Sequence, residues 1–96
     1  MKRYRLSRVA QADLDSIWDY SATHWGDDQA ERYVRDIQRA IEAVASNPCL
    51  GRACDEIRTG YFKRVVGSHV LFYRLAGEQV EIIRILHQRM DFDRHL

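Results

Sequence analysis

The sequence predicts an α+β fold in which a hairpin of two helices covers one face of an antiparallel sheet. Residues 8–46 carry apolar positions at helical spacing, interrupted by one glycine, Gly26. Residues 56–87 carry short apolar stretches separated by turn-forming residues, as a meander of strands requires. The expected order is β-α-α-β-β-β-β, a two-layer arrangement within a single domain over residues 1–96.

The first strand leads directly into the first helix. Polar and apolar side chains alternate in RYRLS, residues 3–7, as they do in a short strand. Ser7 stands where a helix N-cap is expected, because its hydroxyl oxygen accepts a free backbone N–H. Apolar residues then recur every three or four positions, which predicts a helix from about Arg8 to His24.

A second helix is predicted after Gly26, with Asp27 or Asp28 as its cap. Its apolar residues step by four and three positions and form one stripe: Ala30, Val34, Ile37, Ile41 and Val44. Pro48 should end this helix near Ser46. The short turn between the two helices makes them antiparallel neighbours.

Four strands are predicted in the remainder of the chain, and turn residues separate them. The first is a short edge strand formed by Glu56, Ile57 and Arg58, which a partner strand could extend. The other three are YFKRVV, HVLFYRL and VEIIRILH, at residues 61–66, 69–75 and 80–87.

Composition and charge exclude several classes of function. Hydrophobic residues make up 46% of the chain and charged residues 30%, which is too apolar for a disordered protein. The net charge of +1 argues against a protein that wraps nucleic acid. Residues 8–56 are acidic overall and residues 57–96 are basic overall, so the helices should attract a partner with basic residues.

No segment indicates a membrane span, a secretion signal or a cofactor. The apolar runs are shorter than the roughly 20 residues of a transmembrane helix, so a cytoplasmic location is expected. The sequence has no phosphate-binding glycine loop, no G-x-S-x-G elbow and no pair of histidines spaced as metal ligands on a helix. Cys49 and Cys54 are expected to be reduced thiols, and neither a metal nor a cofactor is expected.

Five segments, in this order and spacing, resemble the ParE branch of the RelE/ParE toxin superfamily: YRLS, ADLDSIWDYSATHWG, NPCLG, GSHVLFYR and IIRILHQRMD. The resemblance implies a fold in which the first strand pairs with the last. It also implies a toxin of a type II toxin–antitoxin module that inhibits DNA gyrase by binding, without catalysis. A ParD-type antitoxin would neutralise it in a hetero-oligomer, with no membrane and no sequence-specific nucleic acid as partner.

Two other functions remain open. A RelE-type endonuclease that cuts messenger RNA in the ribosome needs an acid, a base and cations for the phosphorane charge. Arg64, Arg84 and His87 are the candidates for these roles, with Lys63 and Arg74 as further cations. Against this, the chain continues with Gln-Arg-Met where such nucleases place a tyrosine. The third possibility is a non-toxic binding module that acts only with its antitoxin.

Two sets of binding residues are predicted. Aromatic and apolar side chains of the helices, with the edge strand, should bind the antitoxin: Leu14, Trp18, Trp25, Tyr33 and Ile57. A mixed charged and apolar segment at the end of the last strand should bind the target: Arg84, Arg89, Met90, Asp91 and Phe92.

Several ionisable side chains have a plainer expected role. The three acidic residues of the first helix should be surface charges: Asp13, Asp15 and Asp19. His87 should cap its strand and hydrogen-bond a nearby backbone carbonyl.

Overall fold

A computed structural model describes residues 3–96 and confirms the α+β fold. Met1 and Lys2, which the predicted domain includes, lie outside the described residues. The elements are β1 Tyr4–Leu6, α1 Arg8–Trp25, α2 Asp27–Ser46, β2 Arg52–Ala53, β3 Tyr61–Val66, β4 His69–Ala76, β5 Gln79–His87 and α3 Phe92–His95. A short 3-10 turn at Pro48–Leu50 lies between α2 and β2.

The five strands form one sheet in the order β1-β5-β4-β3-β2. The expected pairing of the first strand with the last is confirmed, with Tyr4 opposite Val80 and Leu6 opposite Ile82. This pair is parallel, so the sheet is mixed and not wholly antiparallel as predicted. The pairs β2–β3, β3–β4 and β4–β5 are antiparallel. The two helices carry the chain from β1 at one edge of the sheet to β2 at the other edge.

The prediction of an edge strand at residues 56–58 is wrong. These residues form a turn, in which the amides of Ile57 and Arg58 donate to the carbonyl of Cys54. The edge strand is the two-residue β2, which ends just before Cys54. The segment folds inward because the Ile57 side chain packs into a cluster of buried residues beneath it.

The helix boundaries follow the predicted signals closely. Ser7 caps α1 as expected, accepting the amide of Ala10 at 3.0 Å. Gly26 ends α1 with a φ of +90° and is itself the N-cap of α2. Asp27 and Asp28 are therefore not caps: they lie in the first turn of α2, where their charge favours the helix dipole.

The main core lies between the helix hairpin and one face of the sheet, called here the helix-covered face. Its fully buried members include Ile37, Ile41, Leu71, Tyr73 and Ile82. The hydroxyl of Tyr73 donates to the carbonyl of Pro48 at 2.7 Å and accepts the amide of Gly51 at 2.9 Å. A side chain at Gly51 would collide with this hydroxyl, so the loop after α2 is held against the sheet.

The opposite face of the sheet carries a second, smaller cluster. Four buried residues form its centre: Cys54, Val70, Phe72 and Leu86. The turn after β2 and the short helix α3 cover them, with Ile57 and Phe92 packed against the cluster. The rings of Phe72 and Phe92 meet edge to face, with their centroids 4.8 Å apart. The last helix is therefore part of the fold.

Candidate partner-binding cleft

A cleft of about 570 Å³ lies between the helix hairpin and the end of the sheet where β4 begins and β5 ends. Its walls are largely apolar: Ile17, Tyr20, Trp25, Ile85, Leu86 and Met90. Its polar lining includes Tyr33 from α2 and one histidine from each of the two strands, His69 and His87. A concave apolar surface with a few convergent polar groups is the usual form of a binding site.

Aromatic side chains form an exposed rim on the helix side of the cleft. Tyr20 is 56% exposed and Trp25 is 62% exposed. The two rings meet edge to face at 5.7 Å, and His24 stacks on Tyr20 at 3.9 Å. These contacts restrict the rings before anything binds, which lowers the entropy cost of using them as contact surface. The rim is thus suited to an apolar partner.

Tyr33 connects the second helix to the turn between β3 and β4. Its hydroxyl accepts the amide of Ser68 at 3.0 Å and lies 2.6 Å from Nδ1 of His69. Gly67 has a φ of +57° and lies beneath the tyrosine ring, where a Cβ would collide with it. The turn therefore needs glycine for both its backbone conformation and its contact.

The hydrogen bonds of Tyr33 constrain the tautomer of His69. The tyrosine oxygen accepts the Ser68 amide, and it can donate its own proton to Nδ1 of His69 or accept a proton from it. The first arrangement gives the Tyr33 proton an acceptor and places the proton of a neutral His69 on Nε2. Burial lowers the pKa of His69, and the neighbouring His87 lowers it further, while Asp13 acts in the opposite direction. Burial also raises the pKa of the Tyr33 hydroxyl, in spite of the hydrogen bond from Ser68.

His87 caps the end of β5, but it does not bond a backbone carbonyl as expected. Its Nδ1 lies 3.1 Å from the amide nitrogen of Arg89, so it accepts an N–H and does not donate to a carbonyl. The reason is that the chain turns sharply after β5 and brings the Arg89 amide back to the ring. The rings of His69 and His87 lie edge to face, with centroids 5.3 Å apart.

Arg84 and Asp13 form an ion pair that corrects two predictions. The Nε and Nη2 atoms of Arg84 each donate to the carboxylate of Asp13 at 2.8 Å, and the amide of Ile85 donates to the same carboxylate at 2.9 Å. The side chain of Arg84 is 20% exposed and that of Asp13 is 14% exposed. Asp13 is therefore not a surface charge, and Arg84 is not free to bind a target.

This ion pair closes the edge of β5 beyond the end of β1. The short strand β1 ends opposite Ile82, and Ser7 then supplies hydrogen bonds to the carbonyls of Ile82 and Ile83. Asp13, one and a half turns along α1, accepts the amide of Ile85 further along β5. Ser7 and Asp13 therefore satisfy backbone groups of β5 that lie beyond the end of β1.

The three candidate nuclease residues do not come together on one face. Arg64 lies opposite Leu71, whereas Arg84 lies opposite Phe72. Leu71 and Phe72 are neighbours in β4 and point to opposite faces, so the two arginines do as well. His87 lies opposite His69 on the helix-covered face. Of the further cations proposed, Arg74 is paired with Glu81 at 2.7 Å.

The predicted antitoxin-binding residues lie in three different places. Trp25 and Tyr33 line the cleft. Trp18, 37% exposed, lines a second groove of about 310 Å³ between the two helices. Leu14 and Ile57 are half-buried and pack against the main core and the second cluster respectively. The last two therefore offer little surface, and the docking strand expected at Ile57 does not exist.

The predicted target-binding residues also divide. Arg89, Met90 and Asp91 are exposed in the turn after β5, and Met90 lines the cleft. Phe92 packs on Phe72 inside the second cluster. Deleting residues 90–96 would therefore uncover a buried cluster, and loss of toxicity in such a truncated chain would not identify a contact surface.

Tyr20, Ser68 and His69 were not named as site residues from the sequence. Tyr20 lies one turn before His24 on a helix whose partner surface could not be assigned without the hairpin geometry. His69 could have been suspected, since it begins a strand just after a Gly-Ser turn. The tyrosine that meets it is 36 residues away in sequence, and local patterns do not reveal such pairs.

Within residues 3–96, no helix is long and apolar enough to cross a membrane. Over the same residues, no group of three or more histidine, cysteine or acidic side chains is placed to hold a metal ion. Of the two free thiols, Cys49 is exposed and Cys54 is buried; burial raises the pKa of Cys54.

Residues 4–92 match the family described as the ParE toxin of type II toxin–antitoxin systems, parDE. Toxin ParE1 of Mycobacterium tuberculosis is 58% identical over 95 residues, which is 98% of this chain and 97% of that protein. Toxin ParE1 of Caulobacter vibrioides is 52% identical over 96 residues, covering 100% of this chain and 99% of that one. Toxin ParE of Escherichia coli is 30% identical over 92 residues, covering 95% and 89%.

A solved structure described as a chromosomal ParDE TA system from P. aeruginosa has the same fold. It superposes with a TM-score of 0.79 over 91% of this chain and 96% of its own, at 24% identity. The order of helices and strands described above is thus shared with this distant structure.

Proposed function

The chain belongs to the ParE toxin family of type II toxin–antitoxin systems, and from that premise we propose that it inhibits DNA gyrase by binding and that a ParD-type antitoxin neutralises it. The observation that carries this proposal is the apolar cleft with its exposed rim of Tyr20 and Trp25. An apolar concave surface of this kind fits another protein better than it fits the phosphates of an RNA. The protein would act in the cytoplasm, where gyrase is found.

We assign the cleft and its rim to the antitoxin. Its apolar walls would hold the apolar side of a partner helix or extended segment, and α1 and α2 around it are rich in acidic residues. The toxin would then be carried in a hetero-oligomer until the antitoxin is lost. Trp25→Ala should weaken antitoxin binding more than tenfold, since exposed aromatic residues dominate such interfaces. Val65→Ala, at a side chain 62% exposed on the far side of the sheet, is the matched control.

We assign contact with the target to the exposed turn of Arg89, Met90 and Asp91. This replaces the longer segment expected from the sequence, because Arg84 and Phe92 are occupied within the fold. Arg89→Glu should abolish gyrase inhibition without unfolding the protein. Arg39→Glu, on a side chain 71% exposed in α2, is a charge-matched control that should keep full inhibition. Equal inhibition by both variants would show that this turn is not the contact.

We further propose that inhibition is stoichiometric and not catalytic. RNA cleavage requires an acid, a base and cations close together, and among the candidates Arg84 lies on the opposite face of the sheet from Arg64 and His87. Supercoiling by purified gyrase should therefore stop at about one toxin per binding site on gyrase. Inhibition by a small fraction of that amount would indicate an enzymatic activity instead.

The deciding experiment is induction of the chain alone in a bacterium, with thymidine and methionine incorporation followed over the next minutes. An earlier fall in thymidine incorporation supports gyrase as the target. An earlier fall in methionine incorporation would favour an endonuclease acting in the ribosome. Harmless expression would favour a module that acts only with its antitoxin.

A further inference from the structure

We propose that His69 and His87 together bind a carboxylate, supplied by an aspartate or glutamate side chain of the antitoxin segment in the cleft. The identity of that partner rests on the function proposed above. The chemistry of the site rests only on the geometry of this chain, so the two are tested separately.

In both rings Nδ1 is engaged within the protein. Nδ1 of His87 accepts the amide proton of Arg89, so a neutral His87 carries its proton on Nε2. Nδ1 of His69 meets the Tyr33 hydroxyl, and when that hydroxyl donates, a neutral His69 also carries its proton on Nε2. In this arrangement the cleft is lined by two N–H donors from rings whose centroids are 5.3 Å apart.

Neither Nε2 atom makes a hydrogen bond within the described part of the chain. Over that same part, no buried side-chain nitrogen or oxygen atom is without a partner. Both Nε2 atoms therefore keep some exposure to solvent, and both histidines line the cleft.

Two N–H donors favour an acceptor over a cation or a metal ion. A metal ion would need an unprotonated Nε2 on each ring, whereas the bond from the Arg89 amide places the proton of a neutral His87 on that atom. A carboxylate has two oxygens, each of which can accept one N–H. Asp13, the one carboxylate among the described lining residues, is already held by Arg84 and Ile85.

The surrounding groups favour an acidic side chain flanked by apolar residues. Apolar walls exclude water from the bond, and a charge-assisted hydrogen bond gains strength when water is excluded. The titratable groups that face the two rings are Tyr33 from α2 and Asp13 from α1. A bound carboxylate should therefore promote protonation of His69, whose Nδ1 would then donate to the Tyr33 oxygen, and binding should tighten as the pH falls from 8 to 6.

The test uses three capped tripeptides, with leucine at both ends and glutamate, glutamine or lysine in the middle. The full chain is labelled with ¹⁵N, and the Nε2 resonances of its histidines are followed during titration. We expect the glutamate peptide to shift the Nε2 signals of His69 and His87 and to bind about tenfold more tightly than the glutamine peptide. Equal binding of all three peptides, or no shift at either histidine, would overturn the proposal.

Two substitutions at one position provide a matched pair. The amide of asparagine can replace Nδ1 of a histidine, whereas the amide nitrogen of glutamine reaches the place of Nε2. His87→Asn should thus keep the contact with the Arg89 amide and lose the preference for glutamate, while His87→Gln should keep much of that preference. His95→Gln, on α3 across the sheet, should have no effect. A preference for glutamate that survives His87→Asn would also overturn the proposal.

A small aromatic acid, 3-phenylpropionate, distinguishes a protein side chain from a free metabolite. If it binds at the two histidines and the glutamate peptide does not, the site takes a small molecule and the partner assignment is wrong. Gyrase inhibition is measured on its own, so its failure would leave the peptide result standing and the reverse is also true.

Discussion

The two faces of the sheet are built on different principles. The helix-covered face is closed by long elements, with a continuous apolar core under α1 and α2 and an open cleft at one end. The opposite face is closed by a turn and a four-residue helix, which cover one small cluster. The helix-covered face therefore leaves an apolar cleft exposed to a partner, whereas the apolar side chains of the opposite face are buried within the fold.

This difference explains why residues near the end of the chain play unlike roles. Met90 lies on the cleft side of the turn after β5 and is available to a partner. Phe92, two residues later, belongs to the opposite face and is held by Phe72. A short sequence segment can thus pass from one face to the other, and its residues cannot be assigned to one function together.

The largest effect is expected from breaking the ion pair that holds α1 to β5. Asp13→Ala leaves the Arg84 guanidinium and the Ile85 amide without their acceptor. We expect the free energy of unfolding to fall by about 2–4 kcal/mol, measured by urea denaturation. Asp15→Ala, at an exposed position on the same helix, should change it by less than about 0.5 kcal/mol.

A double variant separates charge from packing at this position. Asp13→Leu combined with Arg84→Met should recover most of the stability, because a buried ion pair is often replaceable by apolar residues of similar size. A loss below about 1 kcal/mol in Asp13→Ala would mean that this contact does not hold the helix in place.

The next effect tests the thin cover of the opposite face. Phe92→Ala removes the ring that packs on Phe72 and should lower the free energy of unfolding by about 1–3 kcal/mol. The neighbouring exposed variant Asp93→Ala is the control for a general effect on α3. If the two variants unfold at the same urea concentration, the packing of Phe92 on Phe72 contributes nothing to stability, and α3 is not needed to close the opposite face.

A smaller effect is expected at the polar floor of the cleft. Tyr33→Phe keeps the ring over Gly67 but deprives the Ser68 amide and Nδ1 of His69 of their partner. The expected loss is about 1–2 kcal/mol, from one or two hydrogen bonds. Tyr20→Phe, on the exposed rim, should leave stability unchanged. The His69 ring should also change tautomer populations in Tyr33→Phe, which NMR would detect.

The smallest effect concerns pH. Burial lowers the pKa of His69 below its ordinary value of 6.5, so below that pH the unfolded chain binds the proton more readily than the folded one. Stability is therefore full above pH 6.5 and declines as the pH falls towards the lower folded pKa. In His69→Gln this part of the decline should disappear. An identical pH profile in wild type and variant would show that His69 has the same pKa in both states.

Much of the fold could be predicted because its signals are local. The Ser7 cap, the apolar stripe of α2 and the Gly67-Ser68 turn each depend on residues a few positions apart. The edge strand was misplaced because Ile57 is apolar in either state, and only its contact with the second cluster makes it a turn residue.

The site was predicted less well because it depends on distant pairs. The sequence suggested that Arg84 was free to bind a partner, because its ion-pair partner Asp13 is 71 positions away. His69 becomes a site residue only through its hydrogen bond with Tyr33, which also lies outside the reach of local patterns. Trp25 and Met90 were predicted to bind different partners, and the structure places both at the same cleft; their binding roles stay predictions. Both could be singled out because an exposed aromatic or methionine at the end of an element needs no distant partner to be noticed.

The pairing of β1 with β5 has a consequence for synthesis on the ribosome. Tyr4 and its partner Val80 are 76 positions apart, so at about 5–20 residues per second the first strand waits roughly 4–15 s for the last one. The cleft, which needs His69 and His87 from the neighbouring strands, cannot form before then. The nascent chain therefore has no finished cleft until β5 has been translated, so nothing can occupy the cleft during those seconds.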